Sequence, residues 1–391
     1  MKSSIKKAIN GFFDRLVRPE FSFAGRSWLF FQVCGSTGVV CAIVLMLTLA
    51  AFSGLSVALM GVLIVADLVA CLALTMITKI ILGEERLTYC HHEISLIVVT
   101  AIIAWLVGQP VLNYLDVSIL GLGIGLACGR VGCLMAGCCH GTPARCGVRY
   151  GSAHVAAGFS PYYSGARFFP IQIVEAIWVA AIVFVGTWMI LRGYPAGMAL
   201  SLYICAYGAG RFFFEFVRAD TDRAYFRGFS ESQWISLLLM VLVAMGEFAG
   251  VLPFQWWHVV VTALVSLVML MVAIRRHGSD YRLLLPRHME ELAHALEATS
   301  SHAGGNGSGS RVRSAGVAID CTSLGVQISA GRIKVAGQHL YHYALSNKSA
   351  NMTEGSARVV ARLILELRHP LGTSDLIAGN RGVFHLLVSA P

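Results

Sequence analysis

The chain has 391 residues, of which 56% are hydrophobic and only 13% are charged, and its mean hydropathy is +0.69. This composition excludes an ordinary water-soluble globule, because too few polar side chains are available to cover its surface. The formal net charge is +9, from 30 Lys and Arg against 21 Asp and Glu. In a membrane protein this excess favours contact with anionic headgroups, and we predict no nucleic-acid partner.

The N-terminal segment, residues 1–27, is basic and leads directly into an apolar stretch. That stretch is too long for the hydrophobic region of a cleaved signal peptide. We therefore expect it to stay in the membrane as an anchor.

Eight apolar stretches are each close to the roughly 20 residues that cross a hydrocarbon core about 30 Å thick. Only helices satisfy every backbone amide of such stretches in lipid. The third stretch is short and the last two are nearly contiguous, so the count is seven or eight. We predict that residues 28–276 form an all-α, polytopic membrane helical bundle with 7–8 transmembrane helices. The predicted spans are Trp28–Ala51, Leu55–Leu82, Ile94–Val107, Val117–Met135, Ile171–Leu191, Gly197–Phe216, Gln233–Phe254 and Trp256–Ile274.

The apolar pattern stops after Arg276, and Ser300–Ser310 has the Gly/Ser composition of a flexible linker. Residues 277–310 are therefore assigned to a juxtamembrane segment and linker. Residues 311–391 contain alternating apolar residues, and Glu354–Leu367 has helical periodicity. This pattern predicts a small soluble α+β domain that contains no chemical motif.

The densest group of ionisable residues in the apolar region lies in Tyr207–Asp220, at the end of the sixth predicted span. Charged groups in a bilayer are costly unless they are paired or hydrated, so these residues are candidates for function. Helical spacing places Arg211, Glu215 and Arg218 on one face, with the carboxylate between two cations. A guanidinium held in this way suits a headgroup phosphate. A purely structural ion pair at the helix end is the alternative.

A second group surrounds Arg130, which follows an apolar run and is flanked by Gly129 and Gly132. Glycines let the backbone and a ligand approach each other closely. The charge of Arg130 requires an anion. That anion is either an internal carboxylate such as Glu215 or a lipid phosphate.

Four motifs follow one another along the chain. They are Gly129-Arg130-x-Gly132, Pro170-x-Gln172-x-x-Glu175, Tyr207-Gly208 with Arg211, Glu215, Phe216, Arg218 and Asp220, and Ser232-Gln233. Taken in this order, they resemble the motifs of the prolipoprotein diacylglyceryl transferase family, and their order and spacing agree with that family between about residues 28 and 254.

The resemblance implies a multi-pass enzyme of lipoprotein biogenesis in the bacterial inner membrane. Such an enzyme transfers a diacylglyceryl group from phosphatidylglycerol, or a similar anionic phospholipid, to a prolipoprotein cysteine, and it needs no cofactor. By resemblance, Arg130, Arg211 and Glu215 are catalytic. The substrate-binding residues that it implies are Arg218, Gly129, Gly132, Tyr207, Gln172, Glu175 and Gln233.

The acceptor thiol also needs a general base, because only the thiolate is a good nucleophile. The family has a His-Gly-Gly motif before its third helix, and this chain reads Tyr89-Cys90-His91-His92-Glu93 there. The resemblance implies that His91 or His92 is the catalytic base. An interfacial histidine at a helix start is the alternative.

The family signature has Asn, Asn and Glu where this chain has Cys133, Ala136 and Cys138, so the donor lipid and the acceptor stay open. The thiols indicate a rival function as well. Sulfur ligands from Cys133, Cys138 and Cys139, with His140, suit zinc or copper binding or redox chemistry. Against a metal, no C-x-x-C motif is present and adjacent cysteines are awkward ligands for a tetrahedral ion, so we assign no metal site.

A third hypothesis treats the bundle as a non-catalytic membrane anchor for the C-terminal domain. Orientation stays open too: the positive-inside rule places the basic, motif-bearing face in the cytoplasm, whereas the family acts on the outer face of the inner membrane. Eight spans would bring the tail to the motif-bearing face, and seven would bring it to the opposite face.

Overall fold

The computed structural model describes residues 2–83, 89–220, 224–276, 280–302, 313–314, 317–335, 338–349, 351–369 and 372–389. The helices are α1 Lys2–Leu16, α2 Phe30–Phe52, α3 Val57–Leu82, α4 Tyr89–Leu106, α5 Val111–Ala136, α6 Ser152–Ala156, α7 Ile171–Leu191, α8 Met198–Phe214, α9 Glu231–Phe248, α10 Trp256–Arg276, α11 Pro286–His302 and α12 Glu354–Arg368. The strands are β1 Glu20–Phe23, β2 Arg26–Leu29, β3 Pro143–Arg149, β4 Arg167–Phe168, β5 Tyr225–Phe226, β6 Phe229–Ser230, β7 Arg313–Ser314, β8 Val317–Cys321, β9 Val326–Val335, β10 Gln338–Asn347, β11 Thr373–Ala378 and β12 Phe384–Ser389.

The apolar region is a helical bundle, as predicted. Among the described residues, seven helices are long and apolar enough to cross a membrane: α2, α3, α4, α5, α7, α9 and α10. Helix α8 is shorter, also apolar, and packs against α5, α7 and α9. The polytopic all-α fold class is therefore confirmed, with α8 as the eighth helix of the bundle.

Helix α5 lies at the centre of the bundle and contacts α2, α4, α7 and α8. Its glycines make this crowding feasible. A Cβ atom added to Gly123 would lie 2.7 Å from ring carbon Cε2 of Tyr203 and 2.7 Å from Cγ2 of Val183. Because Gly123 has no side chain, α7 and α8 approach α5 closely at this level.

A buried carboxylate ties α5 to the start of α8. The two oxygens of Asp116 accept hydrogen bonds from the backbone N–H groups of Gly197 and Leu200, each at 2.7 Å. Amides at a helix start have no partner within the helix. Gly197 has a φ of +89°, a backbone conformation that favours glycine, so the chain turns here and points these amides at Asp116.

The C-terminal region has the predicted α+β character. Its strands form a six-stranded antiparallel sheet in the order β11-β12-β10-β9-β8-β7. Helix α12 matches the predicted helical segment and packs on this sheet together with α11. Helix α11 includes residues 300–302, so the first part of the predicted linker is helical, and the remainder, 303–310, lies outside the described residues.

The first and the last described elements, α1 and β12, lie on the face that carries the sequence motifs. One buried apolar cluster joins Val17 after α1, Tyr150 after β3, Leu292 of α11 and Val388 of β12. Arg167 of β4 also donates two hydrogen bonds to the Asp14 carboxylate, at 2.9 and 2.7 Å. Because α1 precedes the bundle and β12 follows it, their position on one side requires an even number of crossings, which agrees with the eight described helices of the bundle.

We expect Asp116→Ala to destabilise the bundle, because both amides at the start of α8 lose their acceptor in an apolar surrounding. Each orphaned N–H group should cost about 1–3 kcal/mol. Thermal unfolding of the detergent-solubilised protein measures this loss. Asp116→Asn keeps one acceptor oxygen and should lie between wild type and Asp116→Ala. An unchanged melting temperature for Asp116→Ala would contradict this role.

Candidate active site

Glu175 is the centre of the polar cluster at the motif-bearing face. It lies near the start of α7, and its side chain is fully buried. Arg130 Nε lies 2.9 Å and Arg218 Nη1 lies 3.3 Å from the same oxygen, Oε2. The other oxygen, Oε1, lies 3.8 Å from Arg211 Nη1 and accepts a 3.1 Å hydrogen bond from the Tyr207 hydroxyl. One carboxylate thus gathers three guanidinium groups from distant parts of the chain.

Three cations around one anion repel each other, so the cluster contains further carboxylates. Arg211 Nη2 lies 3.2 Å from Glu215 Oε1. Arg218 contacts Asp220 through Nε at 3.1 Å and through Nη2 at 3.2 Å. The three arginines and three carboxylates balance formally. Buried charges are tolerated only when they are paired in this way.

The segment that follows α8 departs from the predicted geometry. We expected Arg211, Glu215 and Arg218 to share one helical face, but α8 ends at Phe214, so Arg218 lies beyond the helix. Residues 217–219 pair instead with the loop 140–142: Thr142 N–H donates to Val217 O at 2.7 Å, and Ala219 N–H donates to His140 O at 3.0 Å. This pairing competes with continuation of the helix. It turns Arg218 toward Glu175.

Arg218 lies outside the membrane-spanning helices and is almost fully buried. Burial alone would lower its pKa, but Asp220, Cys139 and Glu175 together raise the pKa well above its ordinary value. Arg218 therefore carries its positive charge at every physiological pH.

Two of the arginines have N–H donors that make no hydrogen bond to a described residue. Arg130 pairs with Glu175 through Nε, and no described residue accepts a hydrogen bond from its two Nη groups. Arg211 Nη1 likewise makes no hydrogen bond to a described residue, whereas its Nη2 donates to Ser232 Oγ at 3.2 Å. Both side chains are almost fully buried, so an anionic ligand would have to reach these donors inside the bundle.

The two predicted glutamines hold neighbouring segments in place. Gln172 Nε2 donates to Cys138 O at 3.0 Å and to the Tyr150 hydroxyl at 3.3 Å. Gln233 accepts from Ser230 N–H at 3.0 Å and donates to Phe212 O at 3.1 Å, so it joins the start of α9 to the end of α8. Both amides position the site, and Gln233 is engaged at both its oxygen and its nitrogen.

The two predicted glycines differ in their surroundings. A Cβ atom on Gly132 would lie 3.1 Å from Cys34 Cβ and 3.3 Å from Phe31 Cα, both on α2. Gly132 therefore allows close packing of α5 on α2, and its contact with a ligand stays a prediction. Gly129 has open space where a side chain would be.

The two candidate bases face different surroundings. His91 Nε2 lies 2.6 Å from Glu231 Oε1, and both side chains are partly exposed. Glu231 directly precedes Ser232, which contacts Arg211, so His91 lies next to the arginine cluster along the start of α9. His92 instead lines an apolar cavity of about 310 Å³ between α2, α3, α4 and α5.

Sequence reasoning missed the carboxylate Glu231. A signal for Glu231 existed: it lies within the Ser230-x-x-Gln233 capping box, which marks a helix start and an acid in its first turn. Asp220 belongs to the motif that begins at Tyr207, but its pairing with Arg218 was not predicted, because it depends on the turn after α8.

The three cysteines of the alternative thiol site also lie close together. The sulfur atoms of Cys133, Cys138 and Cys139 all lie within 4.8 Å of one another, and the three thiols are free. Hydrogen bonds with the Cys133 and Cys138 thiols, and the charges of Arg218 and Arg130, lower the pKa of Cys139 well below its usual value. His140 packs against the ring of Phe168, and burial lowers its pKa.

Residues 93–249 match the sequence model of the family described as prolipoprotein diacylglyceryl transferase. The chain is 33% identical to a phosphatidylglycerol–prolipoprotein diacylglyceryl transferase of Clostridium tetani over 132 residues, which is 34% of this chain and 51% of the relative. Similar enzymes of Clostridium perfringens (33% over 131 residues) and Dehalococcoides mccartyi (35% over 130 residues) cover 34% and 33% of this chain, and 49% and 47% of their own lengths.

The chain thus spans about half the length of the curated relatives that it matches. The matched segment contains the whole arginine–glutamate cluster, from Arg130 to Asp220. The resemblance to the prolipoprotein diacylglyceryl transferase family that the motifs indicated is therefore confirmed for residues 93–249.

Proposed function

We propose that this protein transfers a diacylglyceryl group from phosphatidylglycerol, or a similar anionic phospholipid, to the cysteine thiol of a prolipoprotein. The observation that carries the proposal is the convergence of Arg130, Arg211 and Arg218 on Glu175, inside a segment that matches the family. The bacterial inner membrane is the proposed location.

In the proposed reaction the sulfur of a deprotonated cysteine attacks the glycerol carbon that carries the phosphate ester. The C–S bond forms while the C–O bond breaks, and the electron pair of the broken bond leaves with the oxygen as glycerol phosphate. The thiol proton passes to a base. The phosphate changes from a diester to a monoester and so gains negative charge, which preorganised cations stabilise more in the transition state than in the ground state.

The N–H donors of Arg130 and Arg211 that make no hydrogen bond to a described residue suit a phosphate that gains negative charge. The Nη groups of Arg130 and Nη1 of Arg211 would donate hydrogen bonds to the phosphate oxygens. Arg218 would add a third positive charge. Glu175 keeps the three guanidinium groups in place before the lipid arrives, so little reorganisation is needed at the moment of reaction. Glu215 and the Tyr207 hydroxyl support this arrangement through Arg211 and Glu175.

The apolar cavity beside His92 suits an acyl chain of the donor. Its volume is about 310 Å³, and its walls include Met46, Leu96 and Leu126. Burying an acyl chain there would contribute roughly 0.8 kcal/mol per methylene group. The cavity thus would hold the lipid tail while the arginines hold the headgroup.

His91 is the better candidate for the base, because Glu231 orients its imidazole and both side chains are reachable from water. A carboxylate that holds one ring nitrogen leaves the other nitrogen to take a proton. A cysteine on a mobile peptide could approach His91 from the water side.

We expect Arg130→Ala and Arg211→Ala each to lower transfer by about 10²–10³-fold, because each removes a donor that meets charge developing in the transition state. Transfer of label from phosphatidylglycerol to a lipobox peptide, with the purified full-length protein in detergent, measures the effect. Arg192→Ala at the exposed end of α7 is the matched control and should keep wild-type activity. Transfer at the wild-type rate by Arg130→Ala would refute the proposal and favour a non-catalytic anchor.

We expect His91→Ala to lower transfer at neutral pH by about 10²–10⁴-fold, through loss of the general base. Raising the pH above about 8.5 should partly restore the rate, because the acceptor thiol then ionises without help. His92→Ala should mainly raise KM for the lipid. The assignment of His91 fails if His92→Ala abolishes kcat while His91→Ala retains it.

A further inference from the structure

The turn after α5 carries a group of thiols that the proposed transfer does not use. Cys133 lies in the last turn of α5, and Cys138 and Cys139 follow just beyond it. The chain reverses here through two residues with positive φ, Gly137 at +89° and Cys139 at +52°. For a residue with a side chain, a left-handed conformation is uncommon. Here it accompanies the approach of two adjacent sulfur atoms to a third.

We propose that Cys133, Cys138 and Cys139 bind a soft, thiophilic metal ion, Zn(II) or Cu(I), through three thiolates. All three sulfur atoms lie within 4.8 Å of one another. Sulfur atoms that share one zinc ion at about 2.3 Å are themselves about 3.8–4.0 Å apart. Shifts of about 1 Å or less would therefore close the site around an ion. The adjacency of Cys138 and Cys139 is thus no obstacle in the folded chain.

Two of the three proposed ligands border a cavity. Cys138, Cys139 and His140 line a cavity of about 290 Å³ that also includes Asp220 and residues of the 157–160 loop. Cys138 itself is exposed. An ion can enter from this side, and a water molecule or small ligand can occupy a fourth coordination position facing the cavity.

The charges around the site suit a thiolate cluster. Three thiolates with Zn(II) carry one net negative charge, and with Cu(I) they carry two. The positive charges of Arg218 and Arg130 act on Cys139 from within the adjacent cluster. Nearby cations of this kind offset the net negative charge of such a complex. A hard cation such as Mg²⁺ would find no favourable ligands among these sulfurs.

A bound ion would also stiffen the segment that orients Arg218. The cysteine turn continues into loop 140–142, which pairs with residues 217–219. Gln172 holds the same turn through Cys138 O. We infer that the metal would stabilise the folded state by linking the end of α5 to this paired segment.

The test uses the full-length protein in detergent, purified under a reductant and stripped with a chelator. Co(II) titration should produce a sulfur-to-metal charge-transfer band and should saturate at one ion per chain. A Cu(I) titration against a Cu(I)-specific chelator distinguishes the two ions. Cys133→Ser, Cys138→Ser and Cys139→Ser should each lose the Co(II) band, whereas Cys146→Ser, which alters a nearby cysteine outside the cluster, should retain it.

A second readout does not depend on the variants. Zn(II) or Cu(I) should protect Cys138 of the wild-type protein from alkylation by a maleimide, and should raise the melting temperature. The proposal is overturned if neither Co(II) nor Cu(I) binds the wild type, or if binding survives in Cys139→Ser. Because the test measures binding without lipid transfer, its outcome is independent of the proposed transferase function.

Discussion

The ionic contact between Glu175 and three arginines is the interaction on which the rest of this membrane domain depends. Arg130 comes from the end of α5, Arg211 from the end of α8, and Arg218 from the turn beyond it. Without a central carboxylate these guanidinium groups would repel one another in a water-poor environment, where such repulsion is weakly screened. Glu175 therefore joins three segments and sets the distances between their charges.

The fold places these charged side chains at one face of the bundle. The ends of α5 and α8 and the starts of α7 and α9 meet there, and hydrogen bonds of Gln172 and Gln233 lock the connections between them. The soluble elements cover the same face through one apolar cluster. A lipid bound in the proposed way would place its acyl chains among the apolar helices and its phosphate beside the arginines, as the proposed diacylglyceryl transfer requires.

Much of this arrangement was predictable from the sequence. The length of an apolar stretch indicates a membrane-spanning helix, and charged residues inside such stretches are rare, so they indicate a functional site. Arg130, Arg211 and Glu175 were all identified as site residues. The centre of the cluster was not predicted: Glu215 was expected between two cations, whereas Glu175 occupies that place. The reason is that α8 stops at Phe214 in favour of strand-like pairing, a long-range contact that helical periodicity cannot reveal. The convergence of the three cysteines was not predictable from the sequence either, because it depends on a left-handed residue.

The most direct test of the account asks whether the arginine cluster recognises the lipid phosphate itself. Native mass spectrometry of the full-length protein in detergent can compare bound phosphatidylglycerol with bound diacylglycerol, which has the same tails and no phosphate. The wild type should prefer phosphatidylglycerol, and Arg130→Ala combined with Arg211→Ala should reduce that preference by about 10–100-fold while diacylglycerol still binds. An undiminished preference in the double variant would contradict the account.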